Sequence, residues 1–258
     1  MVVGSNTIIV EMHSSSALKN YKRREKKRAS KDKELDLVTK TEEYQNALII
    51  IKNAMREMPC GNTITCLNLI NANIDITGAF IIADLLRTNS SLTVLNLSNN
   101  QIFDEGCRIV LSELNNNQTL TSLNLKNNGI NRRNAFPQIK NMTLTSLDIS
   151  YNMIGNGYDD ECKAIVTCFP KLQKLYLSCC GISVSGAKTL RYALIRGLPL
   201  SRLTLNNNIL INAKARRELH ELKDTWVALG RPVDGLNRFT DTEDSDSNYD
   251  SDECEYWT

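Results

Sequence analysis

The pattern LxxLxLxxNxL recurs six times in this chain, and nothing else in the sequence restricts the fold as strongly. The copies begin at Ile64, Leu92, Leu120, Leu144, Leu172 and Leu200, with periods of 28, 28, 24, 28 and 28 residues. The fourth position reads Leu67, Leu95, Leu123, Leu147, Leu175, Leu203, and the sixth Leu69, Leu97, Leu125, Ile149, Leu177, Leu205. The eleventh reads Ile74, Ile102, Ile130, Ile154, Ile182, Leu210. Positions four and six are two residues apart, so in an extended segment both face the same side. One unit cannot bury that side alone. Stacked units can, and they form a parallel sheet over a continuous core.

The ninth position reads Ala72, Asn100, Asn128, Asn152, Cys180, Asn208. A carboxamide there can bond the backbone groups left unpaired where the chain turns out of the strand. Ala72 cannot, which marks the first unit as atypical. Between the patterned segments, residues 77–88, 104–115, 158–169 and 185–196 carry apolar residues at helical spacing. Small residues recur near these helix starts, at Gly78-Ala79, Gly106-Cys107 and Gly186-Ala187, where neighbouring helices must approach closely. The third unit is four residues short, and its segment 131–141 contains Pro137, so an irregular turn is expected in place of a full helix.

A 28-residue strand–helix unit with DxGAxxLxxxL-like helices resembles the ribonuclease-inhibitor-like leucine-rich-repeat family, over roughly residues 59–223. The resemblance implies an α/β fold: a curved solenoid with parallel strands on the concave face and helices on the convex face. The family spans inhibitors, Ran GTPase-activating proteins, innate-immune receptors, tropomodulins and many ciliary proteins, so function must be argued from the surface. The expected organisation is a basic flexible tail over 1–33, an N-terminal capping helix over 34–58, a repeat domain with its C-terminal cap over 59–229, and an acidic flexible tail over 230–258. Thr39 and Glu42 form a capping box for the first of these helices, and Trp226 and Leu236 are candidates to seal the last repeat.

Apolar content of 41% and charged content of 23% fit a globular protein, and the net charge of +2 gives no global argument for nucleic acid. No run approaches the roughly 18 apolar residues of a membrane span, and the first residues lack the order of a secretory signal. The eight cysteines are therefore expected as reduced thiols; they contain no CxxC pair, and neither His13 nor His220 lies near one in sequence. No metal and no cofactor is expected.

Short motifs resolve into the repeat. The segment Gly181–Thr189 approaches a phosphate-binding loop, but Ala187 separates Gly186 from Lys188 and would turn the lysine away. Cys179-Cys180 has no histidine partner to act as base. Asn89, Asn96, Asn117 and Asn141 match the glycosylation triplet, as expected by composition in an Asn-rich repeat. The chain is expected not to be an enzyme and to have no small-molecule substrate.

What remains is the concave face, lined by positions three, five and seven of each unit. Six strands about 4.8 Å apart make it some 25 Å long. The first units are neutral there; Lys126, Asp148, Lys174, Tyr176, Arg202 and Asn206 follow. Tyr and Arg dominate binding hot spots, which puts the expected protein contact near Tyr176 and Arg202. The two tails are a second candidate surface. Residues 19–33 hold nine Lys/Arg against two acids and could take an acidic partner, and residues 241–258 hold eight Asp/Glu and no Lys/Arg. The expected role is a non-catalytic protein-interaction scaffold in the cytoplasm, with cilium, cytoskeleton and nucleus left open. The alternatives are a GTPase regulator resembling Ran GTPase-activating protein, and a nucleic-acid-associated protein using the basic tail.

Overall fold

The computed structural model describes residues 64–131, 135–155 and 160–208, residues 211, 214 and 217, and the backbone of 2–3 and 7–9. The expected capping helix over 34–58, the C-terminal seal by Trp226 and Leu236, and both charged segments lie outside the described residues.

Eight strands form one sheet in chain order. They are β1 (Val2–Val3), β2 (Thr7–Ile9), β3 (Cys66–Asn68), β4 (Val94–Asn96), β5 (Ser122–Asn124), β6 (Ser146–Asp148), β7 (Lys174–Tyr176) and β8 (Arg202–Thr204). From β2 onward every pair is parallel, and β1 lies antiparallel to β2. The helices are α1 (Ile76–Thr88), α2 (Phe103–Glu113), α3 (Asp160–Cys168) and α4 (Val184–Ile195). Each falls on a segment of helical periodicity. Between β5 and β6 the described residues hold no helix; Ala135 and Phe136 are buried there and pack into the core in its place. The result is a curved α/β solenoid with strands on the concave side and helices on the convex side.

The first two strands have no counterpart in the repeat. They fall within the segment read from sequence as a flexible basic tail. Ile8 stands in register with Leu67, so these strands extend the sheet past β3 and cover its edge. A bare edge offers unpaired N–H and C=O groups to any passing strand.

The core is the three patterned columns. Leu67, Leu95, Leu123, Leu147 and Leu175 are fully buried, as are Leu69, Leu97, Leu125, Ile149 and Leu177. The turn after each strand depends on position eight. Asn71, Asn99, Asn127, Tyr151, Cys179 and Asn207 all have φ between 52° and 59°. This left-handed backbone costs an ordinary L-residue roughly 1–2 kcal/mol, and asparagine tolerates it best. Tyr151 and Cys179 are therefore the strained members of the column.

Position nine then ties each unit to the one before. Asn152 Nδ2 donates to the carbonyls of Leu125, Ile149 and Ser150 at 2.9, 2.9 and 3.2 Å. Its Oδ1 accepts from the N–H groups of Asn128 and Ile130 at 2.9 and 3.1 Å. Asn100, Asn128 and Asn208 repeat this arrangement. A second asparagine ladder lies three residues before the second, third and fourth units, at Asn89, Asn117 and Asn141. Asn117 and Asn141 donate to Leu86 O and Leu114 O, the open carbonyls at the ends of α1 and α2, and each accepts from the N–H opening its own strand. Three of the four glycosylation-like asparagines, Asn96, Asn117 and Asn141, are thus buried structural groups.

Candidate functional site

Position five decides how much of the concave face is open to a partner. Asn68, Asn96, Asn124 and Asp148 each turn Oδ1 back onto the N–H two residues on, at 3.3, 3.0, 2.9 and 2.9 Å. These Asx turns are the standard use of a short carbonyl side chain at a strand exit. They correct the expectation that positions five and seven simply project outward. Asn96 and Asn124 are 4% and 5% exposed, Ser98 and Ser150 are also buried, and so is Cys66 at position three. Asp148, expected as a contact residue, has one carboxylate oxygen committed to the Ser150 N–H.

The ladders change at β7. The position-five residue there is Tyr176, whose phenol cannot close the short Asx ring, and the Ser178 N–H turns instead to Ser150 Oγ at 3.2 Å. Position two is a hydroxyl in Thr93, Thr121, Thr145 and Ser201, each bonded to the preceding unit's backbone carbonyl, but it is Gln173 in this unit. Position nine is Cys180, whose thiol donates weakly to Ile149 O at 3.3 Å where a carboxamide would both donate and accept. Position eight is Cys179 in place of asparagine. One unit departs from every side-chain ladder at once.

Strand register gathers most of the sequence-predicted site residues around it. Ser146, Lys174 and Arg202 lie side by side at position three, and Asp148, Tyr176 and Thr204 at position five. All four of Asp148, Lys174, Tyr176 and Arg202 are half-buried. Lys174 and Arg202 are like charges on directly adjacent positions, an arrangement that weakens a sheet. Ser178 Oγ donates to Thr204 Oγ1 at 3.3 Å. Asn206 follows at position seven of the last unit, and its Oδ1 is buried with no hydrogen-bond partner among the described residues. Lys126 does not join the cluster. Its ammonium sits 4.9 Å from the centre of the Tyr151 ring at the rim of the sheet, a cation–π contact.

The rim holds a feature without a sequence signal. Tyr151 and Met153, on the loop leaving β6, and Phe103, the first residue of α2, are exposed apolar side chains, and the Phe103 ring lies over Gly129, where a Cβ would approach to 2.8 Å. Phe103 itself has φ of 54°.

The chemistry of the thiols runs against nucleophilic use. Burial holds Cys107 well above the ordinary thiol range, with the Asp104 carboxylate adding to it. Burial pushes Cys180 up to about 12. A reactive cysteine needs the opposite shift. The phosphate-loop lookalike is taken up by the fold as well: Ser183 caps α4 by accepting from the Ser185 N–H at 3.0 Å, Gly186 and Ala187 are buried, and Lys188 points to solvent. Among the described residues no cluster of His, Cys, Asp and Glu could hold a metal ion, and no helix is long and apolar enough to cross a membrane.

Comparison with known protein families agrees with this architecture. The family model described as Leucine Rich repeat matches residues 88–108, 116–131, 140–157 and 170–190, each segment containing one strand and its turn. No curated protein matches the sequence. Among solved structures, Leiomodin-1 Actin-Binding Site 2 is 20% identical, with 70% of this chain and 82% of that chain covered and a TM-score of 0.37. The leucine-rich repeat-containing protein LegL7 from Legionella pneumophila is 23% identical, with 66% of this chain covered and a TM-score of 0.45. The chain spans about half of LegL7, 55% of its length. The repeated strands, turns and ladders, with the four matched segments laid over them, make the described body of this chain a curved solenoid of leucine-rich repeats.

Proposed function

We propose that the chain is a non-catalytic protein-interaction scaffold of the ribonuclease-inhibitor-like subtype, and that its partner contacts the concave strip formed by Asp148, Lys174, Tyr176, Arg202 and Asn206. The observation that carries this reading is the loss of the side-chain ladders at β7. Consistent sequences place stabilising residues at every structural position, and the places that break the pattern without compensation mark sites kept for something else. Here Tyr176 replaces an Asx cap, so that the Ser178 N–H turns to Ser150 Oγ, and Lys174 stands beside Arg202. The strands before β6 use their concave side chains to hold their own turns, which leaves the C-terminal third as the working surface. Lys126, bound to Tyr151, is a rim residue of that surface. A cytoplasmic setting in a cytoskeletal or ciliary assembly rests on the family resemblance alone.

Affinity capture from cell extract with the full chain tests the reading. Proteins retained by the wild type are expected to be lost with Tyr176→Ala and with Arg202→Glu, each truncation weakening binding by about 2 kcal/mol or more, some thirtyfold. Asn68→Ala, at the same position on β3, serves as the control and keeps them. Identical partners in all four samples would sink the proposed surface.

A further inference from the structure

We propose that the rim of the solenoid where the last helices end and the last strands begin docks edge-on against an anionic lipid surface. Its contacts are Lys140, Met142, Lys171, Tyr192, Ile195 and Arg196. None of these belongs to the concave strip, so the inference stands apart from the reading above.

Charge sorts the molecule by rim. Residues 64–161 hold nine Asp/Glu, and five of them, Asp75, Asp104, Glu105, Asp160 and Glu161, cap or open α1, α2 and α3. The helix dipole stabilises negative charge there, and these acids lie at the opposite rim, where strands end and helices begin. Residues 162–208 hold seven Lys/Arg and no Asp/Glu. Lys140, Lys171 and Arg196 are exposed and make no ion pair among the described residues.

The stack brings the contact residues to one edge. The Asn141 N–H donates to Cys168 O at 2.8 Å, which seats the segment entering β6 on the end of α3. The Gln173 and Lys174 N–H groups donate to Thr145 O, and those of Ser201 and Arg202 to Gln173 O, so the entries to β6, β7 and β8 stand side by side. Tyr192 and Ile195 lie in the last turn of α4. The Arg196 guanidinium lies over the Tyr192 ring, 4.5 Å from its centre, so ring and charge are presented together. Equivalent positions of stacked units come to the same height, which makes a rim flatter than either curved face.

The apolar tips decide among polyanions. Met142, Tyr192 and Ile195 are 45%, 56% and 54% exposed. A nucleic-acid duplex offers Met142 and Ile195 only phosphate and sugar edges. A bilayer sets anionic headgroups directly over hydrocarbon, a layering that takes cationic heads and apolar side chains together.

Vesicle flotation of the full chain tests the proposal. The protein should float with phosphatidylcholine vesicles carrying about 30% phosphatidylserine, and not with phosphatidylcholine alone. Binding should fall in roughly 1 M salt, where the screening length is about 3 Å. Lys171→Gln with Arg196→Gln should weaken partitioning about twentyfold, at about fivefold per cation. Ile195→Ser keeps every charge and should weaken it about fivefold. Lys163→Gln, the same charge change in the first turn of α3, should alter it by less than about twofold. All these side chains are exposed, and thermal unfolding of each variant should match the wild type. Flotation equal in the wild type and every variant overturns the proposal, because the basic segment 19–33 alone would give it. A loss with the two cations that Ile195→Ser does not share marks a charge-only contact and also overturns it. Tighter binding to a duplex DNA oligonucleotide than to the vesicles would identify nucleic acid instead. No flotation, with partner capture lost in Lys171→Gln/Arg196→Gln, would assign the rim to a protein.

Discussion

Asn152→Ala is expected to lower the free energy of unfolding by about 3–5 kcal/mol, among the largest losses any single polar substitution in this chain can produce. The reason lies in what each partner does next. Leu125 O keeps its bond from Asn128 Nδ2, and Ile149 O keeps the weaker one from the Cys180 thiol. The Asn128 and Ile130 N–H groups lose the Asn152 oxygen they both use among buried residues, and unmade bonds to buried donors cost about 1–3 kcal/mol each. Asn99→Ala is the matched control. Asn99 is exposed enough for solvent to replace its bond from Asn127 Nδ2, so the cost there is the left-handed backbone alone, about 1 kcal/mol. Urea unfolding of both variants at unchanged m-value checks the difference. Equal midpoints for the two would show that the ladder does not bind the units together.

Gly155→Ala is the second large effect, and it acts by contact between backbones. A Cβ at Gly155 would stand 2.6 Å from Ile182 Cα and 2.7 Å from Gly181 O, both in the next unit. Neither atom belongs to a side chain that could rotate aside. The two units must separate or slide, which strains the Gly155 N–H bond to Cys180 O at 2.9 Å and opens the core between Ile154 and Ile182. We expect a loss of about 3 kcal/mol or more. Gly106→Ala should cost less, because its nearest obstacle is Ile102 Cγ2 at 2.8 Å, the end of a side chain. Thermal unfolding of the pair orders them; a Gly155→Ala protein as stable as wild type would mean the units are not in backbone contact there.

Most of the fold was legible because its rules are periodic. Three apolar columns fixed the strands, the facing side and the core, and helical spacing fixed α1 to α4 to within a residue or two. The asparagine of position nine announced its ladder, since a carboxamide at a strand exit has few other uses. Two features escaped for physical reasons. Strand β2 lies outside the period, and its only signal is the β-branched run Thr7–Ile9, which pairing with β3 alone turns into a strand. The Asx turns at position five were hidden because alternation assigns a side chain to a face without saying whether it bends back to its own backbone. That second omission widened the expected concave site; the proposed strip is the part of it on β6–β8.

The central claim is that β7 gave up its ladder residue to serve a partner, and Tyr176→Asn measures it most directly. This substitution restores the carboxamide found at the same position in β3, β4 and β5, free to accept from the Ser178 N–H as its counterparts do. The account predicts that unfolding free energy changes by no more than about 1 kcal/mol, because the Asx bond gained offsets the half-buried ring lost. It predicts that affinity for the captured partner, titrated by calorimetry, falls by about tenfold or more. An unchanged affinity in a folded Tyr176→Asn protein would contradict it.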